Sequence, residues 1–232
     1  MSSVSRGRRK TAGVYAEMVR TYEQLADEHN VLLVELATSG LLGMWWDNPL
    51  PTADADELIG GHLVTYARQR PSRSALAALR SLEMLAVNEN LRGSAADAAD
   101  ELSGSGMLEP AWLDSVGDIT AERGWKYRDA GGAEVLLVEF CQQDKPQALV
   151  VFLSGEQAVE LSVTGHAGIL LRELRKKAMA GGGHELLPLE PPVAGAAIEA
   201  ALRHTDSLAD PEVDKQYASL RALAYARCRL LV

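Results

Sequence analysis

The chain holds only two cysteines, Cys141 and Cys228, far apart and in no CxxC or Cys/His arrangement. That excludes a disulfide-stapled scaffold and fits a reducing, cytoplasmic compartment. Aromatic residues make up just 5% of the 232 positions, so the core has to be assembled from small and aliphatic side chains. Cations are outnumbered, 23 Lys and Arg against 32 Asp and Glu, for a net charge of -9. Phosphate-driven binding needs a basic face, and this balance argues against nucleic acid as the partner. The longest apolar run, Val31 to Trp46, is too short for a bilayer and carries Glu35. No apolar h-region follows the basic start, so neither a secretory signal nor a membrane partner is expected.

Reactive signatures are lacking too. There is no GxxxxGK[ST], no HExxH and no GxSxG. His29, His62, His166, His184 and His204 are scattered, and Asp54, Asp56 and Glu57 sit where a helix start would use them for its cap and dipole. Neither cysteine has a neighbouring His, and both read as small core residues. Gly181-Gly182-Gly183 follows a helix rather than opening one, which makes it a helix stop and not a phosphate cradle. No metal, cofactor or catalytic residue is implied by these patterns.

What is present is periodicity. Val14, Met18, Tyr22, Leu25, Leu32 and Leu36 recur at helical steps, with one seven-residue step, and predict a single helix from Thr11 to about Ser39. The stretch Met44-Trp45-Trp46-Asp47-Asn48-Pro49-Leu50-Pro51 reads as a loop because prolines forbid helix there. A second helix is expected from Asp54 to Arg70, with Gly60-Gly61 in its middle permitting a close helix crossing. A third follows Ser72, and a short Ala-rich one starts at Ser94 and ends near Gly104. Pro110 opens one more turn.

The pattern changes at Val116-Gly117. Trp125 to Arg128, Glu134 to Phe140, Ala148 to Leu153 and Ala158 to Val163 read as strands joined by short turns. Two of these runs are continuously apolar, which marks central strands covered on both faces. A helix from Ala167 to Ala180, an edge strand at Leu186 to Leu189 with Pro188, and helices opened by Pro191 and Pro211 complete the chain. The expected fold is α+β. A basic tail over residues 1–10 is disordered, a bundle of antiparallel helices spans 11–116, and a three- or four-stranded antiparallel meander packed by C-terminal helices spans 117–232. The last two regions are free to share one core.

The stretches SGLLGMWWDNP, ADADELIGGHLVTYARQR, EPAWLDSVG, VLLVEF and SLRALAYARCRLL, spread over most of the chain, resemble a family of actinobacterial hypothetical proteins with no assigned activity. They are packing and turn patterns, so the resemblance implies a coherent fold and no chemistry. Relatives carry an Asp-His pair just after the second central strand. Ser154-Gly155-Glu156 stands there in this chain, and chemistry that depended on the pair would be missing.

Three functional readings remain. The first is a non-catalytic interaction or regulatory protein that contacts an unknown protein partner, or a second copy in a homodimer, through Trp45 and Trp46 on a stiff loop. The second is a hydrolase-like enzyme with a pocket between the sheet and the C-terminal helices, drawing on Glu156, His166 or His184; a Ser154 with His166 dyad is the narrowest form of it. The third uses the basic tail Arg6 to Lys10 with the helical run Arg172 to Lys177 as a nucleic-acid or acidic-partner patch. Trp125 and Tyr127 share a strand face and serve packing or ligand stacking.

Overall fold

The structure, a computed structural model, describes residues 3–46 and 55–231, with side chains described for 13–44, 46 and 59–231. The expected loop segment 47–51 and the expected helix start at Asp54 lie outside the described residues. The chain separates into two compact units, Met1–Val116 and Gly117–Val232. The class is α+β: a five-helix region, then a five-stranded antiparallel sheet with the C-terminal helices packed against it.

In the first unit the helices are α1 (Ser3–Leu25), α2 (Val31–Trp46), α3 (Ala55–Gln69), α4 (Arg73–Leu85) and α5 (Glu89–Gly104). The single helix expected from Thr11 to Ser39 is two. The break falls inside the seven-residue step of the apolar pattern, where Asp27-Glu28-His29-Asn30 has nothing to bury. There the Glu28 carboxylate turns back to accept the backbone N–H groups of His29 and Asn30, both at 2.8 Å. That local capping competes with helix continuation. At the other end, α2 runs on through Met44 and Trp46, so these residues are helical rather than part of a loop. α1 begins at Ser3, and the stretch Arg6 to Lys10 lies in its first turns.

α4 is the central helix. Leu76, Leu79, Leu82 and Leu85 are fully buried, and the helix packs against each of the other four. Ser72 caps it, its hydroxyl accepting from the Ala75 N–H at 3.1 Å. α5 starts at Glu89 under an Asn88 cap, five residues before the expected Ser94. Gly60 gives the close crossing that its position suggests: a Cβ there would stand 2.3 Å from Leu91 Cδ2 of α5. Beyond α5, a 3-10 turn at Leu113–Ser115 follows Trp112, which is wholly buried beside Val31 and Val34.

The second unit is built on β1 (Ile119–Arg128), β2 (Glu134–Gln142), β3 (Lys145–Ser154), β4 (Gln157–Thr164) and β5 (Glu185–Leu189), in the order β4-β3-β2-β1-β5. The sheet has five strands: the four of the meander, and β5, which joins β1 as the edge strand expected at Leu186 to Leu189. Pro188 is compatible with that edge, since it has no N–H for a further neighbour. Three helices follow the meander: α6 (Ala167–Met179), α7 (Pro191–Ser207) and α8 (Tyr217–Arg229).

Side chains alternate across the sheet. One face, through Trp125, Tyr127, Val135, Leu137, Ala148 and Val150, packs against Ala167, Leu171 and Leu174 of α6. The other carries Lys126, Leu136, Val151 and Leu161 in one cross-strand row and Glu134 with Leu153 in the next, and it faces α7. β2 and β3 are thus covered twice, which is why their apolar runs do not alternate.

Candidate functional site

The second unit holds a cleft of about 550 Å³ between α7 and the sheet. Its α7 wall is formed by Val193, Ala197, Ala200 and His204, at steps of three and four residues along one helix face. Alanines at that distance from a sheet leave space that larger side chains would fill. Leu136 and Leu153 of the sheet and Leu189 of β5 form the apolar floor.

Two polar groupings flank this floor. At one, Lys126 Nζ lies 2.8 Å from Glu134 Oε2, and Arg128 donates to Glu134 Oε1 through Nε at 2.9 Å. The Lys126 hydrogen bond, against the opposing effect of burial and with Arg128 adding to it, holds the Glu134 carboxyl below the usual carboxylate range. Glu134 is therefore a fixed anion at neutral pH, and the Lys126 charge is already met.

At the other grouping stand Glu156 and His204. A backbone anchor ties the elements that carry them. Thr205 Oγ1, fully buried, accepts the Ala158 N–H at 2.9 Å and lies 3.0 Å from the carbonyls of Ala158 and Ala201. This clamp fixes the β3–β4 turn, which carries Glu156, beside the last turn of α7, which carries His204. Neither side chain makes a hydrogen bond or ion pair to another described residue, and both are exposed. The α7 C-terminus adds the partial negative charge of its last carbonyls.

The structure does not bring Glu156, His166 and His184 together. Glu156 lines the cleft. The His184 ring is stacked at 6.0 Å on Tyr127, with Nδ1 2.8 Å from its hydroxyl, on the sheet face that meets α6. His166 is the exposed N-cap position of α6, its N–H donating to Thr164 Oγ1 at 3.0 Å. The cleft residues that sequence reading passed over are Lys126, Glu134 and His204. The sign for His204 was its place one turn or more from Ala197 and Ala200 on an alanine-rich helix face, visible only once α7 is known to lie on the sheet.

Trp46 ends α2 and is half-buried, while Met44 nearby is 64% exposed. The Trp45 side chain lies outside the described residues. Trp125 and Tyr127 pack in the sheet–α6 core. Cys228 is buried in α8, its thiol pushed up to about 12 by burial first and by Glu199 second, and Cys141 is half-buried. Among the described residues no three His, Cys, Asp or Glu side chains group as metal ligands, and no helix is long and apolar enough to cross a membrane. No family model, curated protein or solved structure matches this chain.

Proposed function

We propose that this chain is a non-catalytic binding protein whose second unit takes up a small amine with an apolar body in the α7 cleft. The observation that carries this reading is the uneven electrostatics of the hollow. The cation in it, Lys126, is spent on Glu134, whereas Glu156 has no partner among the described residues and stands at the negative end of α7. An apolar chain laid on Leu136, Leu153 and Leu189 leaves an ammonium group to meet Glu156, with His204 lining the same cleft. The pinned Glu134 supports binding over proton transfer, because a carboxylate held below its usual range is a weak base at neutral pH.

Calorimetry with linear alkylamines, alkanols and alkanoates of equal length tests this. Affinity should rise about two- to fourfold per methylene and rank amine above alcohol above carboxylate. Glu156→Gln should remove the preference for the amine, and Ala200→Trp should block all three. Equal binding of amine and alcohol would defeat the electrostatic part, and no saturable binding of any would defeat the whole.

The hydrolase-like alternative now rests on Glu156 and His204 at one end of the same cleft; turnover of small esters that is lost in His204→Asn would favour it. The helical segment ending at Trp45 and Trp46 stays the proposed surface for a protein partner or second copy. The double change to alanine should abolish self-association in sedimentation, and an unaltered profile counts against it. Kinship with the actinobacterial proteins and a cytoplasmic location are proposed on the same footing.

A further inference from the structure

α6 buries Ala167, Leu171 and Leu174 and turns its other side to solvent. Along that side Gly168, Arg172, Arg175, Lys176 and Met179 flank a shallow hollow of about 560 Å³. Their spacing places them in one stripe, about 16 Å long at the helical rise per residue. The charges in it are unmatched. Arg20, Arg68, Arg73, Arg80, Arg123, Lys126, Arg128, Arg203 and Arg221 each form an ion pair with a carboxylate. Arg172, Arg175, Lys176 and Lys177 form none among the described residues. The helix dipole accounts for cations in the last turn, Lys176 and Lys177, but not for Arg172 in the middle of α6.

Arg175 is also held in place. Its guanidinium sits 4.9 Å over the Trp125 ring, a contact that orients the cation without neutralising it. The indole is fixed in turn, donating through Nε1 to Glu139 Oε2 at 3.1 Å, and Glu139 is only 7% exposed and paired with Arg123 at 2.9 Å. Met179 at the end of the stripe is 89% exposed, and Ile169 beside it is 56% exposed.

We propose that the outer face of α6 docks a short acidic segment of another protein, with apolar residues interleaved among its carboxylates. The unmatched cations supply the charge complement, and Met179 and Ile169 supply the apolar contacts. The short stripe and the net charge of -9 favour a segment of limited length over a long polyanion, which the rest of the chain would repel.

The test uses the full chain and a fluorescein-labelled twelve-residue peptide alternating Glu with Leu, followed by anisotropy. Saturable binding should weaken at least tenfold when Glu is replaced by Gln in the peptide. The same loss should follow the double change Arg172→Glu with Lys176→Glu, whose exposed positions keep the urea midpoint close to the wild-type value although Lys176 leaves its favourable place near the helix C-terminus. Arg175→Gln should lose binding to a lesser degree, and added salt should weaken the wild type steeply. Equal binding of the Glu and Gln peptides, or of wild type and the double variant, overturns the proposal. So does tighter binding of duplex DNA, or of vesicles containing phosphatidylserine, than of the acidic peptide.

Discussion

Thr205→Val is the most direct probe of how the fold builds its cleft. Valine matches threonine in shape but removes the hydroxyl that clamps α7 to the β3–β4 turn. In the wild type that hydroxyl accepts the Ala158 N–H at 2.9 Å and donates its single hydrogen to the carbonyl of Ala158 or of Ala201, each 3.0 Å away. Ala158 and Thr205 are both fully buried, so water cannot replace what is lost. Leaving a buried donor unpaired costs about 1–3 kcal/mol. A domain near 100 residues shifts its midpoint by roughly 4–8 °C per kcal/mol, so the second unit should melt roughly 4–24 °C lower. Urea unfolding gives the free energy, and amide hydrogen exchange gives the location. The Ala158 amide should lose protection first, while Thr205→Ser, which keeps the hydroxyl, should retain it. Amine binding should fall along with it, because Glu156 and His204 lose their common anchor. A Thr205→Val protein with the wild-type midpoint and a protected Ala158 amide would refute the reasoning.

Four further outcomes are expected. Gly124→Ala would place a Cβ 2.8 Å from the Leu189 carbonyl oxygen and 3.1 Å from Ala194 Cβ, so backbone must shift and stability should drop by about 1–3 kcal/mol in urea melts. Gly61→Ala, a helical position with nothing within 4 Å, should instead gain about 0.5–1 kcal/mol. In native protein DTNB should label Cys141 and spare Cys228, which is buried and whose thiol is pushed up to about 12, until denaturant exposes it. Glu134 is held below its ordinary range, so its contribution is full above the unfolded carboxyl value and is lost as pH falls through the folded one. Acid should destabilise the wild type from about pH 4 downward, and Glu134→Gln should flatten that slope.

The strands were legible because burial on both faces leaves a mark that no other half-buried element leaves. Val135 to Val138 and Ala148 to Val151 are apolar without alternation, and α6 lies on one face with α7 on the other. Pro188 told the edge, and Gly60 told the crossing with Leu91. The α1–α2 break was less legible. A helical stripe continues in phase across a short turn when the flanking turns stay on register, so Leu25 and Leu32 looked like one face. The deciding interaction, Glu28 bonding its own neighbours' N–H groups, is local and leaves no periodic trace.

The cleft shows a different limit. Lys126 and Glu134 are eight positions apart in the chain, yet they sit on adjacent strands two residues out of register: Lys126 opposes Leu136 and Arg128 opposes Glu134. A meander therefore converts a sequence separation into a diagonal contact only when the hairpin register is known. His204 and Glu156 are separated by two strands and a whole helix, and one buried threonine hydroxyl ties the elements that carry them. A reactive or binding pair formed in this way has no spacing signature, because the residue that creates it, Thr205, is neither of the two. Scattered polar side chains are thus weak evidence against a site in any α+β unit where a helix returns across the sheet. The physical question to ask of such a sequence is which small residues on the returning helix would leave room, and here Ala197, Ala200 and Ala201 mark the place.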